Sequence, residues 1–327
     1  IRTAKRGKRR ELLKFDAANS NRLQLDLSTY QPTKPLFQGT KIFKAYPLRE
    51  LVDYIDWTPF FITWGLAGKY PAILSDHKVG AAARDLFNDA QAMLEKLIAE
   101  HLLEARAVIG FWPVQKQGAN DVQLLNGSEK PLATLHFLRQ QAPKADALPN
   151  LSLADYIVDD AQVADFVGGF ALTTGIGVDE LAKQYQAENN DYNALLVKAL
   201  ADRLAEAFAE HLHQRVRKEF WPYAPDEQLS NEELIREQYR GIRPAPGYPA
   251  CPDHSEKRTL FDVLDVTTNI GIELTESYAM SPAASVSGLY FSHPDARYFA
   301  VGKITREQAD DLAQRKQWDP DAMAKLL

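Results

Sequence analysis

The 327-residue sequence reads as an α+β protein on three observations. Long segments carry apolar residues at helical spacing, shorter ones carry β-branched and aromatic runs, and Pro- and Gly-rich loops separate the two kinds. Helices and strands do not alternate as they would in a doubly wound parallel sheet.

In chain order, residues 1–14 read as a charged helix or arm. Residues 28–40 (STYQPTKPLFQGT) hold two Pro and one Gly and read as extended linker, so the folded body is expected from about Ile42. Leu48, Leu51, Val52 and Ile55 predict a helix over 48–57, which Pro59 should stop or bend. Residues 79–103 predict a long amphipathic helix with Leu86, Met93, Leu94 and Leu97 on one face. Residues 105–115 read as a strand, and 121–125 follow a turn and should pair with it. Residues 133–141 are ambiguous, and 165–175 read as a strand. The strongest helix spans 191–221, with Leu196, Leu200, Leu204, Phe208, Leu212 and Val216 in a ladder and Asp191 as its cap. A helix over 230–240 carries a capping box, Ser230 and Glu233. A short helix follows at about 258–268. Residues 273–280, 286–292 and 298–304 read as antiparallel strands. The last segment is helical, with a capping box at Thr305 and Gln308.

Composition narrows the function. With 45% apolar and 25% charged residues the chain has the make-up of a globular protein. No apolar run is long enough to span a membrane. The first 14 residues have the charge of a signal peptide without its apolar stretch. One Cys excludes an internal disulfide, a zinc ribbon and a cysteine-bound cluster, and fits a reducing compartment. The net charge of −6 is uneven: the first 14 residues hold +6, leaving −12 for the rest. An acidic body is not a nucleic-acid binder, whose affinity comes from a basic face. A chain that begins with Ile rather than Met reads as a piece of something longer.

Familiar catalytic motifs are missing: no Walker A loop, no GxGxxG, no GxSxG elbow and no HExxH. Cys251 and His254 have the spacing of half a metal site, but with one Cys the plain reading is a loop without metal. Asp202, Glu206 and His213 fall on one side of the long helix by 3.6-residue periodicity. They read either as a solvated face or as a group that binds an amine or relays a proton. The stretch 241–257 (GIRPAPGYPACPDHSEK) carries four Pro and two Gly in 17 residues. Its Pro residues make it stiff without regular hydrogen bonding, which suits a ligand loop. Arg243 offers a planar fork for a carboxylate, Gly247 permits close backbone approach, and Tyr248 offers a ring and a hydroxyl.

At this loop the sequence resembles the activation domain of cobalamin-dependent methionine synthase. YIDWTPFFITWGLAGKYP (54–71), the helix at 191–221, and LTESYAMSPAASVSGLYFSHPDARYFAVGKI (274–304) resemble it as well, in order, over about 30–320. The resemblance implies a twisted antiparallel sheet with surrounding helices. It implies an inter-module linker or arm at 1–27 and an S-adenosylmethionine-binding activation domain at 28–327. That module serves a cytoplasmic enzyme moving a methyl group from methyltetrahydrofolate to homocysteine, in methionine biosynthesis. It holds S-adenosylmethionine so that oxidised cobalamin on a neighbouring module is remethylated, with an electron from flavodoxin or a similar flavoprotein. The resemblance places Asp56, Glu206, Glu237, Arg243, Ala245, Tyr248, Tyr298 and Phe299 at the S-adenosylmethionine site. It places His254 and Asp202 at the interface with the cobalamin module. Acids suit the ligand's cations, an Arg fork its carboxylate, and aromatic faces its adenine and sulfonium. No metal site, membrane contact or nucleic acid is expected, and the isolated domain should bind ligand without turnover. The alternative is a stand-alone S-adenosylmethionine-dependent methyltransferase, which usually carries the glycine-rich nucleotide loop missing here.

Overall fold

The computed structural model describes residues 11–28, 30–145, 148–160 and 162–327. Residues 1–10 of the segment read as a charged arm lie outside the described residues. The elements run α1 (Phe15–Ser20), β1 (Gly39–Tyr46), α2 (Trp57–Thr63), α3 (Gly80–Ala99), β2 (Glu104–Gln117), β3 (Asp121–Leu125) and β4 (Pro131–His136). They continue β5 (Asp165–Ile176), α4 (Val178–Ala187), α5 (Asp191–Arg215), α6 (Asn231–Ile235), α7 (Glu256–Leu264) and α8 (Val266–Ile270). The chain ends with β6 (Glu273–Leu274), β7 (Met280–Ser281), β8 (Ser285–Tyr290), α9 (Arg306–Lys316) and α10 (Pro320–Leu326).

Among the described residues one sheet holds six strands, all paired antiparallel, in the order β4-β3-β2-β5-β8 with β1 also on β2. The 14-residue β2 is the organiser. Its first half pairs with β1 (Val108 opposite Ile42) and its second half with β3 (Val114 opposite Leu124). Along its other edge runs β5, with Ile109 opposite Phe170. Side chains alternate across a strand, so β2 feeds two cores. Ala107, Ile109 and Phe111 pack with α3, α4 and α5, while Val108, Trp112 and Val114 pack with α7 and α8. Helices cover both faces, which is why β5 reads as a continuous buried run rather than an alternating one.

The long helix forms because its ladder is apolar on nearly every turn, and Leu196, Leu200, Leu204, Phe208, Leu212 and Val216 are all buried. Its cap is the Asn190 side chain, which accepts from the Asn193 amide, rather than Asp191. The last turn, Val216–Phe220, widens into a π-helix.

Several expectations are corrected. Residues 48–54 form a 3₁₀ turn, not a helix to 57. The α-helix begins at Trp57, and Pro59 sits in its first turn, where a missing amide hydrogen is harmless. The helix expected over 230–240 ends at Ile235, and Glu237 has a left-handed φ of +56°. Left-handed Asp265 splits the helix near 258–268 into α7 and α8. Residues 178–187, which carry no strong sequence signal, form α4. Of the three strands expected near the end, 273–280 is a small hairpin of β6 and β7, and 298–304 is not a strand. The Thr305 hydroxyl caps α9, but the Gln308 side chain turns inward to the Arg139 carbonyl instead of closing a box. The body also begins earlier than Ile42. Phe15 and Ala18 of α1 are buried, the Leu13 amide donates to the Gln141 carbonyl, and Trp221 Nε1 donates to the Thr33 carbonyl of the supposed linker.

Candidate functional site

A cavity of about 1030 Å³ opens where α5, the 241–257 loop, β8 and the 298–299 segment meet. Its volume is at the upper end of that usual for small-molecule sites. Glu206, Glu237, Arg243, Ala245, Tyr248, His254, Tyr298 and Phe299 all line it, together with Phe170, Lys257, Met280 and Ser287. These residues come from distant parts of the sequence, and the fold brings them to one wall.

Arg243 is held from behind. Its Nη2 lies 2.8 Å from Glu210 Oε2, its Nη1 donates to the Tyr239 hydroxyl at 2.8 Å, and its backbone amide donates to the Tyr298 hydroxyl at 3.0 Å. Nη1 also stands 3.3 Å from His213 Nδ1. A guanidinium only donates, so Nδ1 accepts, and Nε2 carries the proton toward the Tyr223 hydroxyl at 3.3 Å. Burial opposes the Arg243 charge, yet the Glu210 carboxylate and the Tyr239 hydroxyl beside it carry its pKa further up. His213 is fully buried and stacked on Tyr290, and burial with Arg217 and Arg243 holds its pKa well below the ordinary value. The row of Asp202, Glu206 and His213 is therefore no relay: the acids are exposed, while the imidazole supports Arg243 from inside the core.

Glu206 and Glu237 are exposed at the cavity. Burial raises the Glu237 pKa, with Arg243 opposing. Tyr298 braces the loop through its hydroxyl, and Phe299 packs against both the α7–α8 core and the α9 cluster. Gly247 adopts φ +94°, and a Cβ there would lie 2.4 Å from His254 Cε1, so the turn and the close ring both require glycine.

Two expected residues stand apart. Asp56 caps α2 by accepting from the Thr58 amide at 2.9 Å. It lines a hollow of about 230 Å³ next door, which shares Glu206, Glu237 and Arg243 with the main cavity. Asp202 lines a different hollow of about 190 Å³ with Gly175, Lys198 and Pro282. Burial raises its pKa and Arg203 opposes. Cys251 is buried, and burial pushes its thiol well above the usual range. Among the described residues no group of three or more His, Cys, Asp or Glu is placed to hold a metal. No helix among them is long and apolar enough to cross a membrane.

Glu210, Tyr239 and Lys257 were missed from the sequence. A signal for Glu210 existed. It follows Glu206 by four residues inside an otherwise apolar stretch, and a buried carboxylate needs a cation.

The 241–257 loop itself is anchored by a buried ion cluster. Lys316 of α9 contacts Asp253 at 2.7 Å and Glu256 at 2.6 Å, and Asp253 also accepts from the Ser255 amide and hydroxyl.

The fold is an α+β domain in which a long helix, a Pro-rich loop and an edge strand wall one cavity. The family model described as vitamin B12 dependent methionine synthase, activation domain, matches residues 47–317, and the chain belongs to that family. It is also similar to the crystal structure of the MetH reactivation domain bound to AdoHcy. The two share 48% identity with a TM-score of 0.93, over 97% of each chain.

Proposed function

We propose that the 1030 Å³ cavity binds S-adenosylmethionine and presents its methyl group to cobalamin held by a neighbouring module of methionine synthase. The observation that carries this reading is the convergence on one cavity of seven of the eight residues expected at the ligand, in a domain of this family. A structure of 48% identity was solved with AdoHcy, the demethylated form of the same ligand. The residues fit the ligand's chemistry. Arg243 keeps Nε and a second Nη2 hydrogen for the carboxylate, since the other donors serve Glu210, Tyr239 and His213. Glu206, Glu237 and, from the adjoining hollow, Asp56 supply negative charge toward the ammonium and sulfonium. Tyr248, Tyr298 and Phe299 offer aromatic faces, and the backbone at Ala245 offers polar groups.

When bound, the ligand supplies an electrophilic methyl on sulfur, and the reduced cobalt of the neighbouring module supplies the nucleophile. The chain's own residues have no proton to move. Their work is to orient one group against another, which accounts for the missing catalytic motif. The isolated domain therefore binds without turnover. His254 and Asp202 face the cobalamin module in this reading, a flavodoxin-like protein delivers the electron, and the enzyme works in the cytoplasm.

Calorimetric titration of the 327-residue chain with S-adenosylmethionine tests the proposal. Saturable binding is expected. No heat and no displacement at millimolar ligand would overturn it. Methyl transfer to a small acceptor without cobalamin would instead establish the stand-alone methyltransferase.

A further inference from the structure

We infer that Lys257 fixes the His254 imidazole as the neutral tautomer with its proton on Nε2, so that the cavity wall presents an imidazole N–H donor. Lys257 Nζ lies 3.3 Å from His254 Nδ1 and 3.0 Å from the Tyr278 carbonyl oxygen. An ammonium has three donors and no acceptor. The contact is a hydrogen bond only when Nδ1 accepts. A proton on Nδ1 would set two donors against each other, and an imidazolium would set two cations 3.3 Å apart. The carbonyl of Tyr278 holds Lys257 in place, and the Lys257 residue is only 8% exposed. On the other side the ring lies against Gly247, where a Cβ would come within 2.4 Å of Cε1. The imidazole is thus clamped between a cation and a bare backbone. Burial and Lys257 both lower the His254 pKa, while Asp253 opposes them.

His254 and Lys257 both line the cavity, and Nε2 has no hydrogen-bond partner among the described residues. The nitrogen left for a ligand or partner is therefore a donor, and the group brought against it must be an acceptor. Lys257 is a positioning residue: it acts through the ring. That the incoming acceptor belongs to the cobalamin module rests on the reading above, whereas the tautomer does not.

Long-range proton–nitrogen NMR of the imidazoles at neutral pH, on the whole chain without ligand, tests this. The His254 signals are assigned by their loss in His254→Gln. The expected pattern is a bare Nδ1 and a protonated Nε2. In Lys257→Met the pattern moves to a tautomer mixture, and the titration midpoint rises toward the ordinary value of about 6.5. Lys257→Arg restores the original pattern, since a guanidinium also only donates. A wild-type Nδ1–H tautomer, an imidazolium at neutral pH, or an unchanged pattern in a folded Lys257→Met would each overturn the inference. If Lys257→Met does not fold, the wild-type spectrum decides alone. Because no ligand is present, failure of S-adenosylmethionine to bind would leave this result standing.

Discussion

Arg243 owes its direction to groups that stand behind it. Glu210 takes one nitrogen, Tyr239 and His213 another, and Tyr298 fixes the backbone. Two substitutions separate charge from geometry. Arg243→Lys keeps the cation for Glu210 but loses the fork, so S-adenosylmethionine binding should weaken by about 1.5–3 kcal/mol. Arg243→Ala should also cost the fold about 3–5 kcal/mol, because a buried carboxylate is left unpaired. Calorimetry and denaturant unfolding on both variants check this, and unchanged affinity in the lysine variant would remove Arg243 from ligand binding. At this scale the sequence showed residue types but not their partners. Arg243 and Tyr248 stood out because a stiff loop carried them. Glu210 carried only the mark of its apolar surroundings, and nothing local says which cation it meets.

At the scale of elements, legibility followed the strength of the period. The apolar ladder of α5 and the β-branched run of β2 were plain, and both formed close to the expected bounds. Segments whose ends depend on a single backbone twist were not. Glu237 and Asp265 enter left-handed conformation and cut two helices short, and neither is a residue that announces a break as Gly or Pro does. The segment 298–304 has strand-like alternation yet lies beside the Pro-rich 241–257 loop. Its Val301 amide donates to the Pro249 carbonyl, and a Pro-rich neighbour lacks the amides for a ladder. The loop's own geometry gives a test. Gly247→Ala introduces a side chain at φ +94° and against His254. The expected cost is about 1–3 kcal/mol of stability, with weakened ligand binding as the ring is displaced. A variant as stable as the parent, with equal affinity, would show that the turn tolerates a side chain.

At the scale of the whole molecule, the described residues build a six-stranded sheet with a core on each face, and the buried head of β5 carries a pH-sensitive group. Asp165, 2% exposed at the head of β5, accepts from the Val158 and Phe166 amides. Burial nonetheless pushes its pKa from 3.8 up to about 6. The folded state thus holds a proton that the unfolded state has lost between those values. The contribution of this group to stability falls as pH rises through that window. For a shift from 3.8 to about 6, the loss from this group is on the order of 3 kcal/mol. Unfolding measured at pH 4 and pH 7 should show that Asp165→Asn loses most of this slope, and an equal slope in both proteins would refute the assignment. The two-sided core explains what the sequence left dark at this scale. Periodicity marks which residues are apolar, but not that β2 divides them between two helical layers.

The ion cluster beneath the 241–257 loop has a mechanical consequence. Lys316 belongs to α9, more than fifty residues beyond the loop, yet it ties together Asp253 and Glu256 on either side of Ser255. The loop is therefore not rigid through its prolines alone; it is moored to a helix that never enters the cavity. A cut or a frayed turn in α9 would slacken the floor under His254 and Tyr248 while leaving every lining side chain chemically intact.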